Sequence, residues 1–422
     1  MKSRMRELKP MKFSRRACRG VLCGLVIAAM SCKDSGDMNG DDPPLTGTPF
    51  DLVSQGHGAV GERFTGELWV HGNTAYTTTW STRTLNSVVG RGNAIKIWDV
   101  AAATPLLVDS LIVPDASTIG DVQVTPDGRY MIAATEFAPG SIVIYDLTNP
   151  RKPTLISRFQ NADTDPGVHT AEVQAVNGRL YAFLSIDPRG SERARLVIVD
   201  ITQPSSPSMV LSRIMGSPFV HDVFVRDGIL MTALWNDGLA IWDIGGGGRG
   251  GTVSNPVQLG ALNTSGGKAH NIFWFRDQLG NNSRYAIVGE EGPANIPSFS
   301  SGDVHVIDVS DMSNPREVAF LNVPGAGVHN FSADEERGIL YMAYYNAGVR
   351  AISIRGELGN CSSAQKDAAG RCDLEKMDRV LAKGPVGLSG PVFVWGVHFG
   401  DGRLYASDML NGLWKLSTVP AF

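Results

Sequence analysis

The chain has 422 residues, 43% hydrophobic and 19% charged, the proportions of a protein with a globular core. Its formal net charge is −4, and no basic face or basic–aromatic interleaving occurs, so nothing draws it to nucleic acid or to an anionic membrane surface. With 48 glycines and 23 prolines, the composition suits a turn-rich β protein better than a helical one.

Arg15, Arg16 and Arg19 precede a short, mostly apolar stretch from Val21 to Met30, and Ser31-Cys32 follows. A charged region, a hydrophobic region too short to span a bilayer and a small residue before a cysteine predict a lipoprotein-type signal peptide over residues 1–31. Cys32 is the expected lipid anchor, and the polar, breaker-rich residues 32–49 are the expected flexible tether. The expected location is therefore outside the cytoplasm, on the outer membrane or cell surface of a bacterium. The lipid would be the only membrane contact, and the soluble domain, residues 50–422, is expected to be a monomer.

Beyond the tether, an apolar strand ending in aspartate recurs. The copies are Ile95 to Asp99, Ile142 to Asp146, Leu196 to Asp200, Leu239 to Asp243 and Val304 to Asp308. A unit repeated at this interval is one supersecondary element copied along the chain. Each copy follows a hairpin, marked by Pro126-Asp127-Gly128, Asn177-Gly178 or Arg226-Asp227-Gly228. Asp-Gly and Asn-Gly supply the positive φ that tight turns need. A further strand comes after each, such as Thr154 to Phe159 or Met209 to Ile214. The spacing predicts four antiparallel strands per unit, A to D, with the aspartate ending strand C. That aspartate reads as turn chemistry, a carboxylate accepting backbone N–H groups just beyond the strand.

Two more units, through Val349 to Ile352 and Leu413 to Leu416, lack the aspartate, with Ser353 and Ser417 near its place. The last unit runs out of chain after strand C. Its missing strand D is predicted at the other end, where Phe50 to Ser54 reads like Pro153 to Ser157. A strand carried from front to back closes a ring and hides edges that would otherwise template aggregation. The prediction is an all-β fold, a seven-bladed β-propeller of four-stranded blades closed by the N-terminal strand.

The third copy is Leu-Val-Ile-Val-Asp, followed by Ile201-Thr202-Gln203-Pro204. This resembles the LVIVD-repeat family of bacterial surface or secreted β-propellers, over roughly residues 50–420. The resemblance implies fold and compartment and carries no chemistry with it.

Gly245 to Gly251 follows a strand C, opens no helix and lacks the lysine of a phosphate loop, so it reads as a flexible C-to-D loop. Cys361 and Cys372 flank a polar insert, Ser362 to Arg371, between blades six and seven. In an oxidising compartment they are expected to form a disulfide.

In a propeller, strand A lines the axis. Aligned by their hairpins, the strand A starts read Gly66-Glu67, Gly120-Asp121, Ala171-Glu172, His221-Asp222, His270-Asn271, His329-Asn330 and Trp395-Gly396, with His169 two residues ahead of its frame. The expected ligand-binding residues at the channel mouth are Glu67, Asp121, Glu172, Asp222, Asn271 and Asn330, with Glu290 nearby. His221, His270, His329 and His169 are a possible transition-metal set, for copper or zinc, since imidazole is a common ligand and the carboxylates could orient it. The competing reading makes all of these satisfied polar groups that seal one blade to the next. Long B-to-C loops in blades one, three and five, Ser81 to Gly92, Asp187 to Arg193 and Glu290 to Gly302, mark this face as the recognition face, and Glu136, Glu290 and Glu291 are expected near the histidine rim. Two functions follow. The first is a binding or scaffold module that holds a protein, glycan or small molecule on this top face. The alternative is a metal-dependent oxidoreductase or hydrolase at the channel mouth.

Overall fold

Strand C of each repeat is apolar on both faces because both are covered, and this follows from how the sheets stack. A computed structural model describes residues 48–278, 280, 282–384 and 390–420. The expected leader, Cys32 and most of the tether lie outside these residues.

Seven antiparallel blades form in chain order, each with strand A innermost. Blade one holds Phe64–His71, Thr74–Trp80, Ala94–Asp99 and Leu106–Ile112. Blade two holds Thr118–Val124, Tyr130–Glu136, Ser141–Asp146 and Thr154–Phe159. Blade three holds Val168–Val176, Arg179–Ile186, Arg195–Asp200 and Ser208–Ile214. Blade four holds Asp222–Arg226, Ile229–Ala233, Leu239–Asp243 and Val257–Leu262. Blade five holds Ala269–Trp274, Tyr285–Glu290, Val304–Asp308 and Arg316–Leu321. Blade six holds Phe331–Asp334, Ile339–Ala343, Val349–Ser353 and Val380–Gly384.

Blade seven takes strands A to C from Val394–Gly400, Arg403–Asp408 and Gly412–Pro420, and its strand D from Phe50–Ala59. The closing strand runs antiparallel from Phe50 opposite Pro420 to Ala59 opposite Gly412. His57 stacks on Trp414 at 4.2 Å, and its ring nitrogen meets the Asn411 carbonyl at 2.6 Å.

The apolar core is divided among the seams between blades. Tyr76, Ile97, Val122 and Met131 fill the seam of blades one and two. Comparable clusters fill each later seam. The cluster that shuts the ring joins Val60, Leu68 and Trp98 to Tyr405 and Leu413. A strand C therefore packs against a neighbouring blade on either side, which is why it reads as an unbroken apolar run.

The strand-end aspartates do turn chemistry. Asp99 accepts the Ala101 N–H at 3.0 Å, Asp146 that of Thr148 at 2.7 Å, Asp200 that of Thr202 at 2.9 Å and Asp308 that of Ser310 at 3.0 Å. Asp243 goes further. The glycine-rich loop expected to be flexible winds around its carboxylate, which accepts the N–H groups of Gly245, Gly247, Arg249 and Gly251 at 2.7–3.1 Å. Burial opposes the charge there, but the four amides outweigh it and hold Asp243 down at about 2.

Cys361 and Cys372 are joined, with Cα atoms 6.0 Å apart. Their insert precedes strand D of blade six, so it lies within that blade and not between blades six and seven. It leans back on blade five, where Cys372–Asp373 adds a short parallel fifth strand.

Candidate functional site

The register of the blades decides what faces the mouth. Opposite the aspartates of strand C stand Thr74, Tyr130, Tyr181, Ile229 and Tyr285 on strand B. Six residues beyond these lie Trp80, Glu136, Asp187, Trp235 and Glu291. In blade six the same count from Ile339, opposite Ser353, reaches Tyr345.

One step earlier, Thr135, Ile186 and Glu290 pair with Ile119, Val168 and Ala269 of strand A, and the pairing then skips Gly120, His169 and His270. In blade seven the skipped residue is Trp395. A bulge of this kind re-aims side chains, and here it turns both the skipped residue and its successor into the channel. His221 and His329 hold the matching places in blades four and six, their N–H groups bonded to Ala233 and Ala343 at 2.8 Å.

This corrects the expected frame of blade three. His169 is in register with the other histidines, and Glu172 lies one layer deeper, beside Gln123. Strand A of blade three runs seven residues past its histidine, against five past His221 and four past His270, so counting from its turn misplaces the top of the strand. Blades three to seven thus present an arc. Ring centroids lie 4.2 Å apart from His169 to His221, 4.0 Å from His221 to His270, 4.2 Å from His270 to His329 and 4.1 Å from His329 to Trp395.

The blades that build this arc include two that match a known repeat. The LVIVD repeat family model matches residues 191–213 and 299–322. The chain carries LVIVD repeats. Each match spans strands C and D, in blades three and five, so the matched segments form the outer halves of these blades and the arc lies on their inner halves. No curated protein matches the chain.

Below the arc, the carboxylates expected to bind a ligand are bonded across the seams. Asp222 accepts from the Asn271 side chain at 2.7 Å, Glu172 from Gln123 at 2.8 Å, and Asp121 from the Ala171 N–H at 2.8 Å. Glu67 accepts from Asn330 of blade six, passing blade seven at Gly396, where a Cβ would sit 2.3 Å from the Glu67 carboxylate. Burial, reinforced by neighbouring acids, pushes Glu67 and Glu172 up to about 8 and Asp222 to about 7. Burial lifts Asp121 to about 6. This layer lines a cavity of about 260 Å3.

Glu290 does not face the mouth. Adjacent strand residues point to opposite faces, so Glu290 turns outward to His305, 3.4 Å away, and Glu291 turns inward. Glu291 Oε2 lies 3.7 Å from His221 Nε2 and 3.6 Å from His270 Nε2, while the Tyr345 hydroxyl donates to Oε1. On the other side of the arc, His169 Nδ1 is 3.5 Å from Glu136 and 3.4 Å from Asp187, and Trp80 donates to Glu136 at 3.2 Å. In each of two groups, His221–His270–Glu291 and Glu136–His169–Asp187, the potential ligand atoms lie within 4.8 Å of one another. The structure brings His221 and His270 together as expected, and leaves His169 with the second group and His329 with neither.

Environment divides the arc. Burial and the neighbouring imidazoles hold His221 and His270 well below the usual histidine range, and burial takes His329 down to about 3. Burial also opposes the charge on His169, but Asp187 and Glu136 outweigh it and raise that ring well above the usual histidine range.

Over the arc opens a vestibule of about 660 Å3. Glu136, His169, Asp187, His221 and Glu291 form its floor; Phe137, Pro166, Pro188, Phe219 and Trp235 wall it. Trp235 stacks on His221 at 5.2 Å and Phe219 meets Trp235 edge-on at 5.3 Å. Sequence reasoning missed Asp187, Phe219, Trp235 and Tyr345. Three of these become readable from the constant count of six along strand B; nothing local marks Phe219.

Proposed function

We propose that this LVIVD-repeat propeller is a binding module that takes a small organic ligand in the vestibule on its top face. The observation that carries this reading is the vestibule itself: aromatic and proline walls over a floor of imidazoles and carboxylates, in a volume suited to a small molecule. Such walls match a ligand with a flat or apolar body, and the floor matches one or two polar groups at its inner end. Display outside the cytoplasm on a lipid at Cys32 is part of the same proposal, supported by the leader sequence and by the Cys361–Cys372 disulfide. A metal-dependent oxidoreductase or hydrolase at the same mouth is the second reading, favoured by the convergence of His221, His270 and Glu291.

Saturation-transfer NMR against a library of small aromatic acids, amines and amides tests the first reading. Ligands are expected to bind the unaltered protein and to lose at least about tenfold in affinity, roughly 1.4 kcal/mol, in Trp235→Ser. A library with no binders, or binders indifferent to that substitution, refutes it.

A further inference from the structure

We propose that His221, His270 and Glu291 form a site for one divalent first-row transition-metal ion. The inference is independent of whether the vestibule above it takes an organic ligand.

The argument begins with distance. An ion bonded at about 2.0–2.1 Å holds tetrahedral donors roughly 3.4 Å apart. The two imidazole Nε2 atoms stand 3.7 and 3.6 Å from the Glu291 carboxylate oxygen. Those two edges need shifts of only a few tenths of an ångström to reach ligation distance, and all three donor atoms lie within 4.8 Å of one another. By contrast, no direct hydrogen bond joins either imidazole to that carboxylate.

The supporting shell is in place. The Tyr345 hydroxyl takes Glu291 Oε1, which leaves Oε2 turned to the histidines. The Tyr345 backbone is bonded both ways to Val394 of the next blade, at 3.1 and 2.9 Å, so the phenol is fixed. Trp235 lies parallel to the His221 ring. Outer partners of this kind orient ligands and sharpen affinity.

Each ring is set to ligate through Nε2. His221 and His270 are 6% and 3% exposed, and it is their Nε2 atoms that face Glu291. Each leans on the backbone carbonyl of the next blade, at His270 and His329. That arrangement suits an Nδ1–H tautomer, with the Nε2 lone pair free to ligate.

The donor set selects the ion. Two nitrogens and one carboxylate suit zinc, cobalt, iron or copper and not calcium or magnesium, which want oxygen cages. Three protein ligands leave at least one coordination position open, and Glu291 and His221 also floor the vestibule, so that position opens upward. The Glu136–His169–Asp187 group offers one nitrogen against two carboxylates, with Glu136 already accepting from Trp80, and is the poorer transition-metal site.

The test uses the full soluble domain, purified without a histidine tag and stripped with EDTA. Calorimetry with Zn2+ and visible absorption with Co2+ are expected to show one ion per chain. His221→Ala, His270→Ala and Glu291→Gln should each weaken Zn2+ binding at least about 100-fold, since even outer-sphere losses cost 10–100-fold. His71→Ala, at the exposed end of strand A in blade one, should leave it unchanged. Glu291→Gln keeps its shape and its bond from Tyr345, and an unaltered urea midpoint separates lost ligation from lost folding. No ion bound by the unaltered protein, two ions per chain, or binding that survives Glu291→Gln would each overturn the assignment.

Discussion

Replacing Glu172 by glutamine should make the protein more stable, and more so as pH rises. Glu172 sits in the channel wall with one strong donor, the Gln123 side chain, and burial with the Asp222 and Asp121 carboxylates pushes it up to about 8 from an ordinary 4.5. A group raised on folding contributes stability that is full below its unfolded pKa and is lost as pH rises through its folded one. Between those limits each pH unit is worth about 1.4 kcal/mol, which amounts to about 3 kcal/mol at pH 7. Glu172 is partly exposed to the channel, and screening there reduces this to roughly 2 kcal/mol. Glutamine keeps the acceptor for Gln123 and carries no charge. Urea unfolding of both proteins at pH 5 and pH 8 measures the effect. The variant should lead its parent by at least roughly 2 kcal/mol at pH 8 and by little at pH 5. A variant no more stable than its parent at pH 8, or a lead that does not grow between pH 5 and pH 8, would refute the reasoning.

Two other outcomes follow from features outside the mouth. Asp243→Ala removes the acceptor of four backbone amides; holding Asp243 at about 2 against 3.8 corresponds to about 2 kcal/mol at neutral pH. Because its pKa is depressed, that loss should be complete above pH 4 and vanish as pH falls through 2, which urea titrations at pH 7 and pH 2 would show. Deleting the chain through Ala59 uncovers the edge of Gly412–Pro420 and the face of Trp414. Size-exclusion chromatography should then show aggregation in place of a monomer; a truncated monomer with an unchanged melting temperature would contradict closure by this strand.

Blades, closure and the aspartate turns were legible because each is written locally, as alternation, a turn pair or a strand-end carboxylate. The closing strand could be found from a distance because Phe50 to Ser54 copies the pattern of another strand D. The mouth was legible only in outline. His221, His270 and His329 fell into register because strand A of blades four to six ends four or five residues past the histidine. His169 did not, since its strand runs seven residues on, and nothing in composition marks the extra length. The choice between Glu290 and Glu291 turned on a single step of strand alternation. Phe219 comes from a loop before strand A of blade four, whose path is set by what it packs against. The seam bonds of Asp121, Glu172 and Asp222 were foreseen as one reading among two; their partners come from other blades, so only the folded ring could select it.

The peripheral ribbon of blade seven has a direction. It starts at Phe50, opposite Pro420, and climbs to Ala59, beside the tight Asn411-Gly412 turn at the top. Its first residue therefore lies on the side of blade seven away from the mouth. A label joined at Phe50 would leave the imidazole basin unobstructed.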